Sequence, residues 1–181
     1  MKTYCDYCRK EVEFREELRK ETYTVKGEEV TIDARVCSCP ECGEELWVSE
    51  VDGENLNKAY NMYRKRHGLL LPEEIKQLRL RYDLSQTAFA KILGFGEKTI
   101  ARYESGSIQE EAPNNLMLLV QDAYNFQKLF EQNSEKLSDM ERKRVRVALK
   151  QEKAPYTLEN NYYYCSASIV LDFPAERGVA S

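Results

Sequence analysis

The chain has 181 residues, a mass of 21.2 kDa and a formal net charge of −4; 42% of its residues are hydrophobic and 32% charged, so a buried core lies under a heavily solvated surface. The length suits one or two small domains at the usual ~100–200 residues each. No run of ~18 apolar residues is present to span a bilayer, and the opening MKTYCDYCRKEVEF has no apolar stretch behind its first basic residue, so it does not read as a secretory leader.

The expectation is therefore a cytoplasmic protein without membrane contact. Disulfides do not persist there, and the six cysteines need another explanation. Five lie in the first 42 residues, at Cys5, Cys8, Cys37, Cys39 and Cys42, while Cys165 stands alone. Cys5-x2-Cys8 and Cys39-x2-Cys42 are separated by 30 residues. Each pair reads as a knuckle that aims two sulfurs at one ion, and two knuckles make a tetrahedral S4 set suited to one structural Zn2+ per chain. A set of four thiolates leaves no open position for a reacting water. Gly43 lets the chain turn tightly after the second pair. Cys37 offers a fifth sulfur, so the second pair can also be drawn from Cys37 with Cys39 or Cys42; only Cys39-x2-Cys42 matches the first pair. His67 reads as a solvated histidine near a helix end rather than a ligand.

Between the cysteine pairs, ETYTVKGEEVTIDARV predicts a β-hairpin, with Thr22, Thr24, Val30, Ile32 and Val36 in strands and Gly27 in the turn. Residues 1–50 carry 8 basic and 13 acidic side chains, a surface poorly suited to phosphate. ENLNKAYNMYRKRHG then places Leu56, Tyr60 and Tyr63 at helical spacing, with Gly68 as a stop. Pro72 opens a further helix, PEEIKQLRLRYD, with Ile75, Leu78 and Leu84 directed to a core.

Ser85 is a good N-cap for SQTAFAKIL, which ends at Gly94. EKTIARYESG follows, closed by Gly106 as a left-handed cap. Together they predict a helix-turn-helix: Ala90 is small where helices cross, Gly94 permits the turn and Ile100 faces inward. The second helix would enter the major groove of duplex DNA. Its exposed positions are Glu97, Lys98, Thr99 and Arg102, with Lys98 and Arg102 on one face. Arg102 suits guanine and Lys98 guanine or phosphate, while Ser85 and Gln86 suit phosphate oxygens. Tyr103 and Glu104 read as packing and capping residues. A single helix is expected over APNNLMLLVQDAYNFQKLF, with Leu116, Leu119, Ala123 and Phe126 in register. Another helix starts at the capping box Ser138-x-x-Glu141 and carries Arg142, Lys143, Arg144 and Arg146. From Ala154 the composition changes to an almost uncharged stretch with Tyr162, Tyr163, Tyr164, Ile169, Val170, Leu171 and Phe173.

The hairpin and second knuckle, YTVKGEEVTIDARVCSCPECGEEL, resemble a YgiT-type zinc finger. LPEEIKQLRLRYDLSQTAFAKILGFGEKTIARYESGS is similar to an Xre-type helix-turn-helix. In this order, over roughly residues 3–120, they resemble the MqsA family of type II antitoxins. The resemblance implies a homodimer that binds a cognate toxin through its zinc modules and a palindromic operator through its helical modules, repressing its own operon. Family members read bases with an Asn and an Arg four positions apart; the matching positions are Lys98, which departs, and Arg102, which agrees. The ~60 residues beyond resemble the extensions of toxin–antitoxin–chaperone systems, which implies a SecB-like chaperone on the apolar tail. That tail also suits packing on the toxin, or a strand completing the protein's own core.

The expected architecture is α+β. Residues 1–50 form a zinc-binding β-rich domain that meets the toxin, and residues 51–71 a linker helix. Residues 72–152 form an all-α helix-turn-helix domain for DNA binding and dimerisation, and residues 153–181 an extended tail. The alternative is a stand-alone transcriptional regulator sensing zinc or redox state, with Cys37 as its exchangeable thiol. Catalysis is not expected: there is one histidine, no paired acid–base motif and no nucleotide loop.

Overall fold

A computed structural model of the chain describes residues 2–152. The tail positions Tyr162, Tyr163, Tyr164, Ile169, Val170, Leu171 and Phe173, together with Cys165, lie outside the described residues. The fold is mixed α+β, with strands first and helices after them. No helix among the described residues is long and apolar enough to cross a membrane.

Strands β1 (Lys2–Cys5) and β2 (Lys10–Glu13) pair antiparallel as a small hairpin that the sequence reading did not anticipate. Strands β3 (Arg15–Val25) and β4 (Glu28–Ser38) form a long hairpin, and β5 (Glu45–Leu46) pairs with the end of β4. The β3–β4 turn holds Lys26 at φ 48° and Gly27 at φ 86°. Two consecutive left-handed residues match the twist of the flanking strands in a two-residue turn. In β4, Val30, Ile32, Ala34 and Val36 are buried in alternation, the period of a strand with one face on a core. The hairpin is longer than expected because β3 begins at Arg15. Its first six residues are exposed and include Glu16, Glu17, Arg19 and Lys20, weak strand formers that pair with β4.

Helix α1 (Ser49–Arg66) packs on this sheet. Its buried stripe is Val51, Asn55, Ala59 and Tyr63, offset by one position from Leu56 and Tyr60; Leu56 is 41% exposed. Asn55 explains the offset. β5 reaches back only to Cys37, so among the described residues the edge of β4 ahead of it has no strand partner. The Asn55 side chain takes that place: its Nδ2 donates to the Arg35 carbonyl at 2.7 Å and its Oδ1 accepts from the Arg35 N–H at 2.9 Å. The amide thus satisfies two backbone groups that would otherwise be costly beside a packed helix.

Six further helices follow: α2 (Pro72–Leu80), α3 (Gln86–Leu93), α4 (Thr99–Glu104), α5 (Glu111–Leu119), α6 (Ala123–Asn133) and α7 (Asp139–Glu152). They enclose one core containing Ile75, Leu78, Leu84, Phe89, Ile100, Met117, Phe126 and Val145. Tyr82 stacks on Phe126 with ring centroids 3.7 Å apart. The helix expected over residues 112–130 is two helices, α5 and α6. Asp122 starts the second by accepting from the backbone N–H groups of Tyr124 and Asn125, both at 3.0 Å. The break lets Met117 and Val120 both reach the core while Leu119 stays 57% exposed. The Ser138–Glu141 capping box forms as expected, with Ser138 N–H donating to Glu141 at 2.9 Å.

The strands and helices meet through α1 and the hairpin tip. Buried Arg64 donates to the Gly106 carbonyl at 2.6 Å, and Lys26 pairs with Glu110 at 2.6 Å. Buried Gln109 and Asn114 bond the backbone of Leu70 at 2.6 and 2.9 Å.

Candidate functional site

The candidate residues fall in two constellations. The first is built by two hairpin loops. Cys5 ends β1, and Cys8 lies in the loop to β2, where Arg9 turns the chain at φ 54°. The Cys8 N–H points at the Cys5 sulfur, 3.4 Å away. Cys39 and Cys42 lie between β4 and β5, where Cys39 N–H donates to the Glu44 carbonyl at 2.8 Å and Gly43 N–H to the Cys39 carbonyl at 2.9 Å. Gly43 sits at φ 77°, a conformation that favours glycine. Packing of the two loops brings Cys5 Sγ to 3.6 Å from Cys42 Sγ and Cys8 Sγ to 3.8 Å from Cys39 Sγ. All four sulfurs lie within 4.8 Å of one another. A tetrahedron with metal–sulfur bonds of ~2.3 Å has edges of about 3.8 Å. The donor set therefore fits one tetrahedral thiophilic ion.

Electrostatics point the same way. Hydrogen bonding to the Cys42 side chain, with burial and the other thiols, pushes Cys8 up to about 12, while the backbone N–H of Cys42 leads in lowering Cys39 to about 7. Four sulfurs this close cannot all carry negative charge alone; a dication between them resolves the conflict and deprotonates its ligands. Cys5 and Cys39 are buried beside Val12, Leu46, Val48 and Val51, a cluster too small to hold the strands firmly by itself.

Cys37 is not one of the four. It is 3% exposed, lies in the strand ladder opposite Leu46, and burial raises its thiol pKa. His67 is also apart from the sulfurs, its ring tilted against that of Tyr63 with Nε2 3.0 Å from Glu28.

The second constellation is the α3–α4 pair. Ser85 caps α3 by accepting from Ala88 N–H at 3.1 Å. Gly94 ends it at φ 72°, and Ala90 and Ile100 are fully buried between the helices. Gly106, at φ 101°, ends α4, where Ser107 N–H reaches back to the Arg102 carbonyl at 2.9 Å. Glu97, Lys98 and Arg102 are exposed and Thr99 is half-buried; Lys98 is the N-cap of α4, and Arg102 N–H bonds its carbonyl at 3.0 Å. Lys98 and Arg102 thus share a face one turn apart.

Gln86 is placed differently from Ser85. Its Nε2 donates to Glu104 at 2.8 Å, where Glu104 also receives a two-point bond from Arg79 at 2.6 and 2.9 Å. Burial pushes the Glu104 carboxyl up, but the bonds from Arg79 and Gln86 outweigh it and the net shift is downward. Arg79 donates further to the Leu84 carbonyl at 2.7 Å. This knot ties α2, the start of α3 and the end of α4 together, and sets the direction in which α4 presents Arg102. Arg79 was not singled out from sequence; an arginine among apolar helix positions gives no sign of its partner 25 residues on.

A family described as the antitoxin component of bacterial toxin–antitoxin systems, MqsA, matches residues 1–140 and so covers both constellations. The chain belongs to the MqsA antitoxin family. None of the curated proteins matches it. Membership of the MqsA family joins the four-sulfur loops and the α3–α4 pair in one antitoxin chain, and it implies a toxin as partner.

Proposed function

We propose that the chain neutralises a cognate toxin by direct binding through residues 1–50 and represses its own operon by binding operator DNA through residues 72–152, acting as a homodimer in the cytoplasm. The observation that carries this reading is the family match over residues 1–140. The ion held by Cys5, Cys8, Cys39 and Cys42 is Zn2+, one per chain. Its chemistry there is structural: it crosslinks two loops whose surrounding core is small.

In the DNA complex, α4 lies in the major groove. Arg102 donates two parallel hydrogen bonds to a guanine edge, and Lys98 lies one turn earlier against a base or phosphate. Glu97 and Thr99 flank them. Ser85 keeps its hydroxyl hydrogen for a phosphate oxygen while capping α3, and Gln86 has a second amide hydrogen beside the one it gives Glu104. Residues 51–71 link the two halves. Residues 153–181, with Tyr162, Tyr163, Tyr164, Ile169, Val170, Leu171 and Phe173, offer an apolar segment for a SecB-like chaperone or the toxin. Zinc with four sulfur ligands has no open position, which agrees with a protein that is not an enzyme.

A stand-alone zinc- or redox-sensing regulator has less support. Its exchangeable thiol would be Cys37, which is buried and is not one of the four clustered sulfurs.

The test is co-expression with the adjacent gene, read as growth, alongside gel-shift of the promoter fragment upstream of both. Rescue of growth and a shift abolished in Arg102→Ala are expected. No rescue and no stable complex with the neighbour's product would overturn the toxin-binding half, and a shift unaffected by Lys98→Ala with Arg102→Ala would overturn the DNA half.

A further inference from the structure

We infer that an aromatic groove beside the sulfur cluster is the docking surface for a basic segment of the toxin. This rests on the toxin-binding reading above and specifies where and by what chemistry the contact is made.

Among the described residues, three large side chains near the cluster lie outside every core: Tyr4 is 55% exposed, Tyr7 77% and Trp47 74%. They come from three separate segments, the strand β1, the first cysteine loop and the connection from β5 to α1. The packing of the two loops draws them to one groove of about 630 Å³, floored by Leu46. The remaining residues around it are acidic, Asp6, Glu44 and Glu45, and no lysine or arginine lines it among the described residues. Glu45 is partly neutralised by Arg19 at 2.7 Å; neither Asp6 nor Glu44 has an ion pair among the described residues.

Aromatic rings exposed together in a concave site are what central interface positions require: large apolar area at small entropic cost. The acidic rim selects the partner. It repels phosphate, so the groove does not suit nucleic acid. It attracts lysine and arginine, whose cationic heads also bind the faces of Trp and Tyr. The excess of 13 acidic over 8 basic side chains in residues 1–50 extends that field beyond the groove and steers a basic partner toward it. The ion-bound loops hold the three rings in place before the partner arrives, which limits the ordering cost of binding.

The experiment uses the purified full chain and the toxin encoded beside it, with affinity measured by titration calorimetry at two salt concentrations and zinc content checked for every variant. Trp47→Ala is expected to weaken binding ~30-fold or more, as central aromatic positions do. Trp47→Phe keeps a ring and loses less. Asp6→Asn with Glu44→Gln is expected to weaken affinity at low salt and flatten its salt dependence. Leu18→Ala, 74% exposed on β3 and not among the residues lining the groove, is expected to change nothing. Promoter binding is expected to be unchanged in all of them. Zinc-replete Trp47→Ala and Tyr7→Ala that bind the toxin like wild type would overturn the groove while leaving toxin binding intact. So would a loss seen for Leu18→Ala alone, or a loss of promoter binding with toxin binding retained. A wild-type chain that does not bind this toxin would instead overturn the underlying reading.

Discussion

Replacing Arg79 with alanine removes the cation from a carboxylate that has little other access to solvent charge. The Arg79 side chain is 10% exposed and that of Glu104 6%, and they meet through two hydrogen bonds of 2.6 and 2.9 Å. Without Arg79, Glu104 keeps the Gln86 amide at 2.8 Å and the weaker field of Lys76, and the Leu84 carbonyl loses its donor. Removing one partner of a buried pair costs ~3–5 kcal/mol; the retained Gln86 bond places this case near ~3 kcal/mol. For a chain of this length that lowers Tm by about 6–12 °C. The effect depends on pH in a determined direction. Glu104 has a folded pKa below its unfolded value, so its contribution is complete above the unfolded value and is lost as pH falls through the folded one. Without Arg79 the buried carboxyl is protonated more readily than in the wild type, so the gap between variant and wild type is widest near pH 7 and narrows as pH falls through the carboxylate range. Urea unfolding of both proteins from pH 7 to pH 3 measures it. A gap under ~1 kcal/mol at pH 7, or one that does not narrow in acid, would refute the reasoning.

Asn55→Ala leaves the Arg35 N–H and carbonyl without partners under α1 and is expected to cost ~2–3 kcal/mol, read by urea unfolding; a cost under ~0.5 kcal/mol would show that water replaces the amide freely. Gly94→Ala meets no atom within 4 Å but holds φ at +72°, so it is expected to cost ~1 kcal/mol in conformation alone, whereas Gly53→Ala inside α1, equally unobstructed, is expected to stabilise by ~0.5–1 kcal/mol. Thermal melts of the pair give opposite signs if this is right. Lys98→Ala is expected to weaken promoter binding and reduce the slope of log affinity against log salt by ~1 if it contacts phosphate, and an unchanged slope would assign it to a base.

Local rules were the legible part of this chain. Ser85, Gly94, Gly106 and the Ser138–Glu141 box act within four residues of their own positions, and their geometry is as the sequence predicts. Cysteine spacing was equally legible, because a knuckle is a local turn: only Cys39-x2-Cys42 matches the first pair, and the strand ladder, which turns Cys37 into the core, agrees with that choice. What could not be read were polar side chains serving distant backbone. Asn55, Arg64 and Arg79 each sit on a helix with partners 20, 42 and 25 residues away. A hydrophobic pattern counts such residues as solvent-facing and so places the buried stripe of α1 one position off. The split between α5 and α6 was hidden for a related reason: Leu116, Leu119, Ala123 and Phe126 keep helical spacing through a break that only the Asp122 cap declares. The aromatics of the groove carried a weak signal, since Tyr4, Tyr7 and Trp47 flank the cysteine pairs, but their exposure follows from loop packing.

Metal analysis of the full chain, purified without added zinc, is the most direct trial of the view that one ion shapes its N-terminal half. Mass spectrometry under native conditions is expected to find one zinc per polypeptide, lost in Cys8→Ser and Cys42→Ser but kept in Cys37→Ser, with the strand signal in circular dichroism lost alongside the ion. A metal-free chain with its strands intact, or a Cys37→Ser protein that has lost its zinc, would contradict it.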